Sequence, residues 1–291
     1  MKLTIIANPV AGRGRAYHSL QNYVREWPHK DWKVEVLTTC GPGHAGRLAR
    51  DLVGHPPDLL AVCGGDGTMN EIATEVPDPP FPVSLLPAGT ANVLARELEL
   101  PLNPVRAMQV ALRRNTRKID LGLLGPGPRR RFLFVAGIGF DAYAVFRVRP
   151  ELKSKLGIVA YVAAILECLR QYSFPEFQVS AGGRMFTATS CLVCNSRKYG
   201  GGLLFCPDAD AHDGRLDLLV LEGRRRLALA GFLLLAWLQR PMKGDWIHRL
   251  QSDAVRIGGA EGVYVQVDGE LAGGLPVDIS LAPSAFPLII P

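Results

Sequence analysis

Acidic residues recur where the chain should turn, and turn carboxylates have a short list of uses. They can cap a helix, hold a hard cation or accept a proton. Asp66 sits in "CGGDGTMNEIA" (Cys63–Ala73), between glycines and a helical pattern. Glycine lets a ligand or another backbone come close, and the first amides of a helix bind anions. Phosphate is the obvious anion, and Asp66 would repel it unless a metal ion or a hydroxyl awaiting deprotonation intervened. With no evident packing role, Asp66 is expected to be catalytic; the plainer alternative is a helix cap. "DADAHDGRLDL" carries Asp208, Asp210, Asp213 and Asp217. Its oxygens suit Mg2+ or Ca2+ but lack the EF-hand spacing, and a polar hairpin turn is the alternative. "VQVDGELAGG" places Asp268 and Glu270 around a glycine. Asp-Gly is a common hairpin dipeptide, so this is either a turn alone or a base with a companion carboxylate.

"NPVAGRGRA" (Asn8–Ala16) has neither the Walker A order nor GxGxxG. Its amides can still wrap a phosphate, with Arg13 and Arg15 as charge partners, or it is a solvated turn.

The elements that must position these residues alternate over the first third. Strands are expected at "KLTIIANP", "WKVEVLTT", "DLLAVCG" and "FPVSLLPAG", with helical patterns between and after them. Alternation of this kind predicts a doubly wound, mostly parallel α/β sheet, with ligands beyond the carboxyl ends of its strands. The loops "NPVAGRG", "TTCGPGHA", "GGDGT" and "PAGTAN" all fall at such ends. After about residue 120 short strands and hairpins take over, turning near Gly125–Arg131 and at Gly182-Gly183. They suggest a β-sandwich-like second domain interrupted by helices at Leu156–Tyr172 and Arg226–Gln239. The expected division is 1–122 and 123–291, with the last strand able to return to the first domain.

Composition narrows the classes. The 291 residues are 48% hydrophobic and 21% charged, with a net charge of +6. That balance fits polyphosphate substrates or an anionic membrane better than nucleic acid, and no Lys/Arg–aromatic interleaving argues for base stacking. Cys191 and Cys194 form a lone CxxC in a strand pattern, which puts the thiols on opposite faces. Reduced core thiols in a cytoplasmic protein are the expectation. "MKLTIIANPVAG" is too short an apolar run for a signal peptide, and "LALAGFLLLAWL" (Leu227–Leu238) is too short to span a bilayer. That segment and "LGIVAYVAAILECLRQY" are either core helices or interfacial ones. The Arg129–Arg131 and Arg224–Arg226 clusters could face anionic lipid.

In this order, "NPVAGRG", "TTCGPGHA", "GGDGTMNEIA", "PAGTANVLARELEL", "GIGFDAY", "DAHDGRLDL" and "VDGE" resemble the diacylglycerol kinase catalytic-domain superfamily, nearest the bacterial YegS/BmrU-type lipid kinases. GGDGT alone also occurs in NAD kinases. The resemblance covers nearly the whole chain. It implies an ATP- and Mg2+-dependent kinase acting on a lipid hydroxyl, with ATP in a cleft between an α/β and a β-sandwich domain. By motif position, Asn8, Pro9, Val10, Ala11, Gly12, Arg13, Thr39, Gly64, Gly65, Asp66, Gly67, Thr68, Met69, Asn70 and Thr90 would contact the nucleotide. Asp213, with carbonyls of Asp210 and Arg215, would hold Mg2+. Asp268 and Glu270 stand where the family's general base and companion carboxylate lie, and which takes the proton is open. Arg13 replaces a lysine found in related enzymes, and His44 an acidic residue. The implied partners are a lipid acceptor and, transiently, the membrane surface, with a peripheral location at the inner membrane face. The oligomeric state is open, a homodimer included. A kinase for a soluble acceptor such as NAD, or a silent nucleotide-binding regulator, is the alternative.

Overall fold

The structure is a computed structural model that describes residues 1–125, 130–147, 163–200, 202–259 and 261–291. The chain divides into two compact units, Met1–Leu121 with Pro283–Pro291, and Gly122–Ala282.

The first unit is built on parallel strands β1 (Lys2–Ala7), β2 (Lys33–Thr38), β3 (Leu59–Gly64) and β4 (Val83–Pro87), in the order β2-β1-β3-β4. β3 and β4 are buried along their whole length, as expected of strands covered on both faces. β2 alternates Lys and Glu with apolar residues and is mostly exposed, which suits a sheet edge. The helices are α1 (Arg15–Arg25), α2 (His44–Asp51), α3 (Asp66–Glu75), α4 (Val93–Glu97) and α5 (Pro104–Ala111). Each has a local cause. α5 starts at Asn103, whose side chain accepts from the Val105 and Arg106 amides, with Pro104 at the first position. α2 buries Ala45, Gly46 and Ala49, and a Cβ on Gly46 would lie 2.8 Å from the Glu71 carbonyl of α3. Small residues therefore let the two helices touch backbone to backbone. The chain steps one way from β1 to β2 and the other way to β3 and β4. The order reverses between the carboxyl ends of β1 and β3, the crevice where such sheets bind ligands.

The second unit is a sandwich of two antiparallel sheets. Its strands are β5 (Thr116–Gly125, shared with the first unit), β6 (Arg130–Phe132), β7 (Val135–Gly139), β8 (Phe177–Ala181), β9 (Arg184–Ala188) and β10 (Ser190–Cys194). There follow β11 (Lys198–Tyr199), β12 (Leu203–Leu204), β13 (Leu216–Leu221), β14 (Ile247–Ser252), β15 (Ala254–Gly259), β16 (Tyr264–Val267), β17 (Glu270–Gly274) and β18 (Val277–Ile289). One sheet runs β18-β15-β8-β9 with β5 and β6 alongside; the other runs β14-β13-β10-β7-β16-β17. Alternate residues of both point inward, and Phe132, Ile138, Phe177, Val193, Leu218, Ile257, Val265 and Ile279 fill the core. The end of β18 belongs to the first unit, where Leu288 pairs parallel with Val83. Helix α6 (Phe140–Arg147) follows β7, α7 covers 163–171, and α8 is Arg226–Trp237. The predicted helix at Leu156–Tyr172 lies outside the described residues up to 162. Cys191 and Cys194 are buried in β10 as free thiols.

Candidate active site

In the first unit three glycine loops meet at the β1/β3 crevice, and their contacts explain why glycine is needed. Gly12 has φ +55°, and a Cβ there would lie 2.1 Å from the Ala88 carbonyl oxygen. A Cβ on Gly89 would lie 2.8 Å from the Gly65 Cα. Any side chain at either position would push the loops apart. Asn8 ties two of them. Its amide donates to the Cys63 carbonyl (2.8 Å), its Nδ2 to Thr68 Oγ1 (3.3 Å), and its Oδ1 accepts from the Val10 amide (3.1 Å). Ala88 donates its amide to Gly64 at 2.9 Å, joining the third loop.

This arrangement leaves the first amides of α3 outside the helix's own hydrogen-bond ladder. The first helical bond of α3 runs from Met69 to the Gly65 carbonyl (3.2 Å), so the amides of Asp66, Gly67 and Thr68 precede the hydrogen-bond ladder. Such a terminus carries partial positive charge and is a ready anion site. Arg13 is exposed and left-handed (φ 63°), and Arg15 is exposed beside it. Pro9, Val10 and Ala11 complete the first loop, with Val10 largely exposed. Thr39 is buried and donates its amide to Ala7 (2.9 Å), whereas Thr90 is exposed. The Asn70 Oδ1 atom is buried without a hydrogen-bond partner. His44 Nδ1 accepts from the Cys40 amide at 3.0 Å, so this ring is engaged in closing its own loop.

Asp66 has backbone partners that were not evident from the sequence. Its Oδ2 accepts from the Val93 amide and its Oδ1 from the Leu94 amide, both at 3.0 Å. It caps α4, not its own helix. Sequence reasoning missed this because the two partners lie 27 and 28 residues away. The carboxylate therefore locks the "PAGTAN" loop onto the "GGDGT" turn.

In the second unit Asp268 and Glu270 part company. Asp268, at φ +47°, accepts from the amides of Leu133 (2.7 Å), Phe134 (3.0 Å) and Val135 (2.9 Å). These three bonds fix the bend between β6 and β7 and the first residue of β7. Glu270 is the exposed first residue of β17, with no hydrogen bond or ion pair to the described residues. Of the three candidate carboxylates, only Glu270 has a side chain with no hydrogen bond or ion pair among the described residues.

The turn before β13 is held from within. Asp213 Oδ1 accepts from the Arg215 amide (2.9 Å), and its Oδ2 lies 3.3 Å from Gln251 Nε2. Asp210 Oδ1 accepts from the His212 amide at 3.1 Å. Burial pushes the Asp217 carboxyl up to about 6, opposed by the Gln251 hydrogen bond and reinforced by Asp213 and Asp208. Among the described residues no three His, Cys, Asp or Glu side chains form a metal cluster. A site here would consist of one carboxylate, two carbonyls and water, an oxygen-only set that suits Mg2+.

Sequence reasoning overlooked Asp141 and Gln266. Gln266 is fully buried in β16; its Nε2 donates to Asp141 Oδ2 (2.6 Å), and its Oε1 accepts from the Gly269 amide (2.7 Å) and the Tyr199 hydroxyl (3.3 Å). Gly137, opposite Gln266 in β7, makes the room: a Cβ there would lie 2.0 Å from Asp141 Oδ2. The network braces the turn that carries Glu270. A glutamine inside the apolar run "VYVQV" was the available signal.

Comparison with known proteins extends these observations. Residues 2–124 match the family model of the diacylglycerol kinase catalytic domain, and 135–290 match the YegS C-terminal NAD kinase beta sandwich-like domain. A diacylglycerol kinase of Mycobacterium tuberculosis is 29% identical over 295 residues, covering 100% of this chain and 95% of that protein. A Pseudomonas fluorescens protein named as YegS-like lipid kinase is 30% identical over 270 residues, covering 89% and 86%. A crystal structure of a Bacillus anthracis diacylglycerol kinase superposes with a TM-score of 0.76 at 21% identity, covering 100% and 97%. An Archaeoglobus fulgidus NAD kinase solved with ATP gives 0.53 at 12%, covering 100% and 93%, and shares the fold. The α/β unit, the β-sandwich and the order of their motifs are those of one kinase family, and this chain belongs to it, with the diacylglycerol kinases and YegS-like lipid kinases.

Proposed function

We propose that this chain transfers the γ-phosphate of ATP to the hydroxyl of a diacylglycerol-like lipid. The observation that carries the reading is the close-packed cradle of Gly12 against Ala88 and Gly65 against Gly89, at which α3 begins with amides outside its own hydrogen-bond ladder. Backbone donors so arranged suit a polyphosphate, and Arg13 and Arg15 add charge. Phosphoryl transfer is mostly positioning and charge stabilisation, so pre-set loops supply much of what it needs. Asp66 is a positioning residue here, since its oxygens already hold α4 in place.

Glu270 is the general base. It takes the proton of the acceptor hydroxyl as that oxygen bonds to the γ-phosphorus and the bond to the ADP oxygen breaks. Asp268 and Gln266 aim it, one by pinning the turn to the β7 approach, the other by holding the Gly269 amide. Asp213, with the carbonyls of Asp210 and Arg215, would hold Mg2+, which would supply positive charge when bound. The apolar acceptor implies transient contact with a membrane surface.

Labelled ATP offered with diacylglycerol, ceramide and NAD, each with Mg2+, tests the reading. Transfer to diacylglycerol is expected. Transfer to NAD alone, or to none while ATP binds, would overturn it.

A further inference from the structure

The helix α8, "RLALAGFLLLAW", is apolar on both faces, but only one face is buried. Leu229, Phe232 and Ala236 point into the second unit. On the other side Leu227 is 91% exposed, Leu234 55%, Trp237 64% and Leu238 48%. These positions recur at intervals of three, four and seven, so they form one stripe about 18 Å long for a helix of this length. A soluble surface rarely leaves so large an indole and three leucines together in water.

The charges around the stripe say what covers it. Between Glu222 and Asp245 the chain has no acidic residue and five cations: Arg224, Arg225, Arg226, Arg240 and Lys243. They sit just before and just after the apolar run. Arg225 reaches Asp245 (3.4 Å) and Arg226 donates to the Tyr172 carbonyl (2.9 Å). Arg224, Arg240 and Lys243 are exposed and pair with no acid among the described residues. An apolar stripe with a tryptophan, bracketed by free cations, is the pattern of a helix lying in the plane of an anionic membrane.

We propose that the outer face of α8 is the surface on which this protein docks to an anionic bilayer, Leu227, Leu234 and Trp237 entering the acyl boundary and Arg224, Arg240 and Lys243 meeting lipid phosphates. The inference deepens the lipid-kinase reading by naming the surface that brings the enzyme to its acceptor.

Vesicle co-sedimentation without nucleotide tests it apart from catalysis, using phosphatidylcholine alone or mixed with phosphatidylglycerol. The wild type should bind the mixed vesicles, lose them as salt rises, and ignore phosphatidylcholine. Trp237→Glu should weaken binding tenfold or more, and Arg224→Glu/Arg240→Glu/Lys243→Glu by about fivefold per charge. Both variants should melt like the wild type, because the altered side chains face solvent. Turnover should fall with diacylglycerol in vesicles and stay unchanged with a dispersed short-chain diacylglycerol. Wild-type vesicle binding by both variants would overturn the surface, as would a lipid-free dimer that Trp237→Glu breaks while vesicle binding persists. Absence of transfer to either acceptor, with these binding changes intact, would instead overturn the kinase reading and leave the surface standing.

Discussion

Replacing Asp268 should cost stability before it costs chemistry. Its carboxylate accepts three amides, those of Leu133, Phe134 and Val135, all residues with buried side chains. Each donor left without an acceptor costs roughly 1–3 kcal/mol. With some entry of water, Asp268→Ala should lose about 3–6 kcal/mol. Alanine adds about 1–2 kcal/mol of left-handed strain, because the residue sits at φ +47°. Asp268→Gly removes that strain while still losing the bonds, and should fall nearer the lower value. Asp268→Asn tolerates the backbone and can keep the two bonds made by Oδ1, losing the one from Leu133. Its cost should be roughly 1–3 kcal/mol, or a midpoint drop of about 2–4 °C per kcal/mol. Thermal unfolding beside turnover at saturating ATP separates the roles. The loss of turnover should track the loss of folded protein, with Asn mildest. A variant that melts at the wild-type temperature but has lost turnover a thousandfold would refute the reasoning and make Asp268 the reacting base.

Other perturbations probe the rest of the frame. Gly12→Ala places a Cβ 2.1 Å from the Ala88 carbonyl, so it should loosen the cradle and weaken ATP binding tenfold or more, read by calorimetry. Burial raises Asp141 to about 6 from an ordinary 3.8, against the opposing bond from Gln266. Protonation is therefore favoured in the fold: its contribution is fully present below about pH 4 and lost as pH rises through about 6. The ceiling is about 3 kcal/mol, less for a half-buried residue, and Asp141→Asn should flatten the stability–pH curve over that window. Asp213→Ala should raise the Mg2+ concentration needed for half-maximal turnover, with unfolding shifted only modestly; an unchanged titration would remove the metal from this turn.

Much of the fold was legible because it is written in local pattern. The runs Leu59–Gly64 and Val83–Pro87 are buried strands ended by Gly or Pro, and the helix after GGDGT follows its apolar spacing. The loops of the first unit were legible for the same reason, since glycines mark close approach. Partners were not legible. Asp66 to Val93, Asp268 to Leu133 and Gln266 to Asp141 bridge 27, 135 and 125 residues, and no periodicity encodes such pairings. The sequence thus picked out Asp66, Asp268 and Glu270 as equals. Only their hydrogen bonds show that two brace the backbone while Glu270 is left open. For α8 the sequence left core and interface both open, because "LALAGFLLLAWL" is apolar all round; exposure of Leu227 and Trp237 shows that one face remains uncovered.

Glu270→Gln tests the central claim most directly, because the change keeps shape and removes the base. Measure kcat for transfer from ATP to diacylglycerol, the nucleotide Kd and the melting temperature of the same preparation. A general base contributes about 10²–10⁴-fold, so kcat should fall within that range while Kd and melting stay at wild-type values. Wild-type kcat in Glu270→Gln would contradict the account, leaving "VDGE" a hairpin turn and the proton acceptor elsewhere.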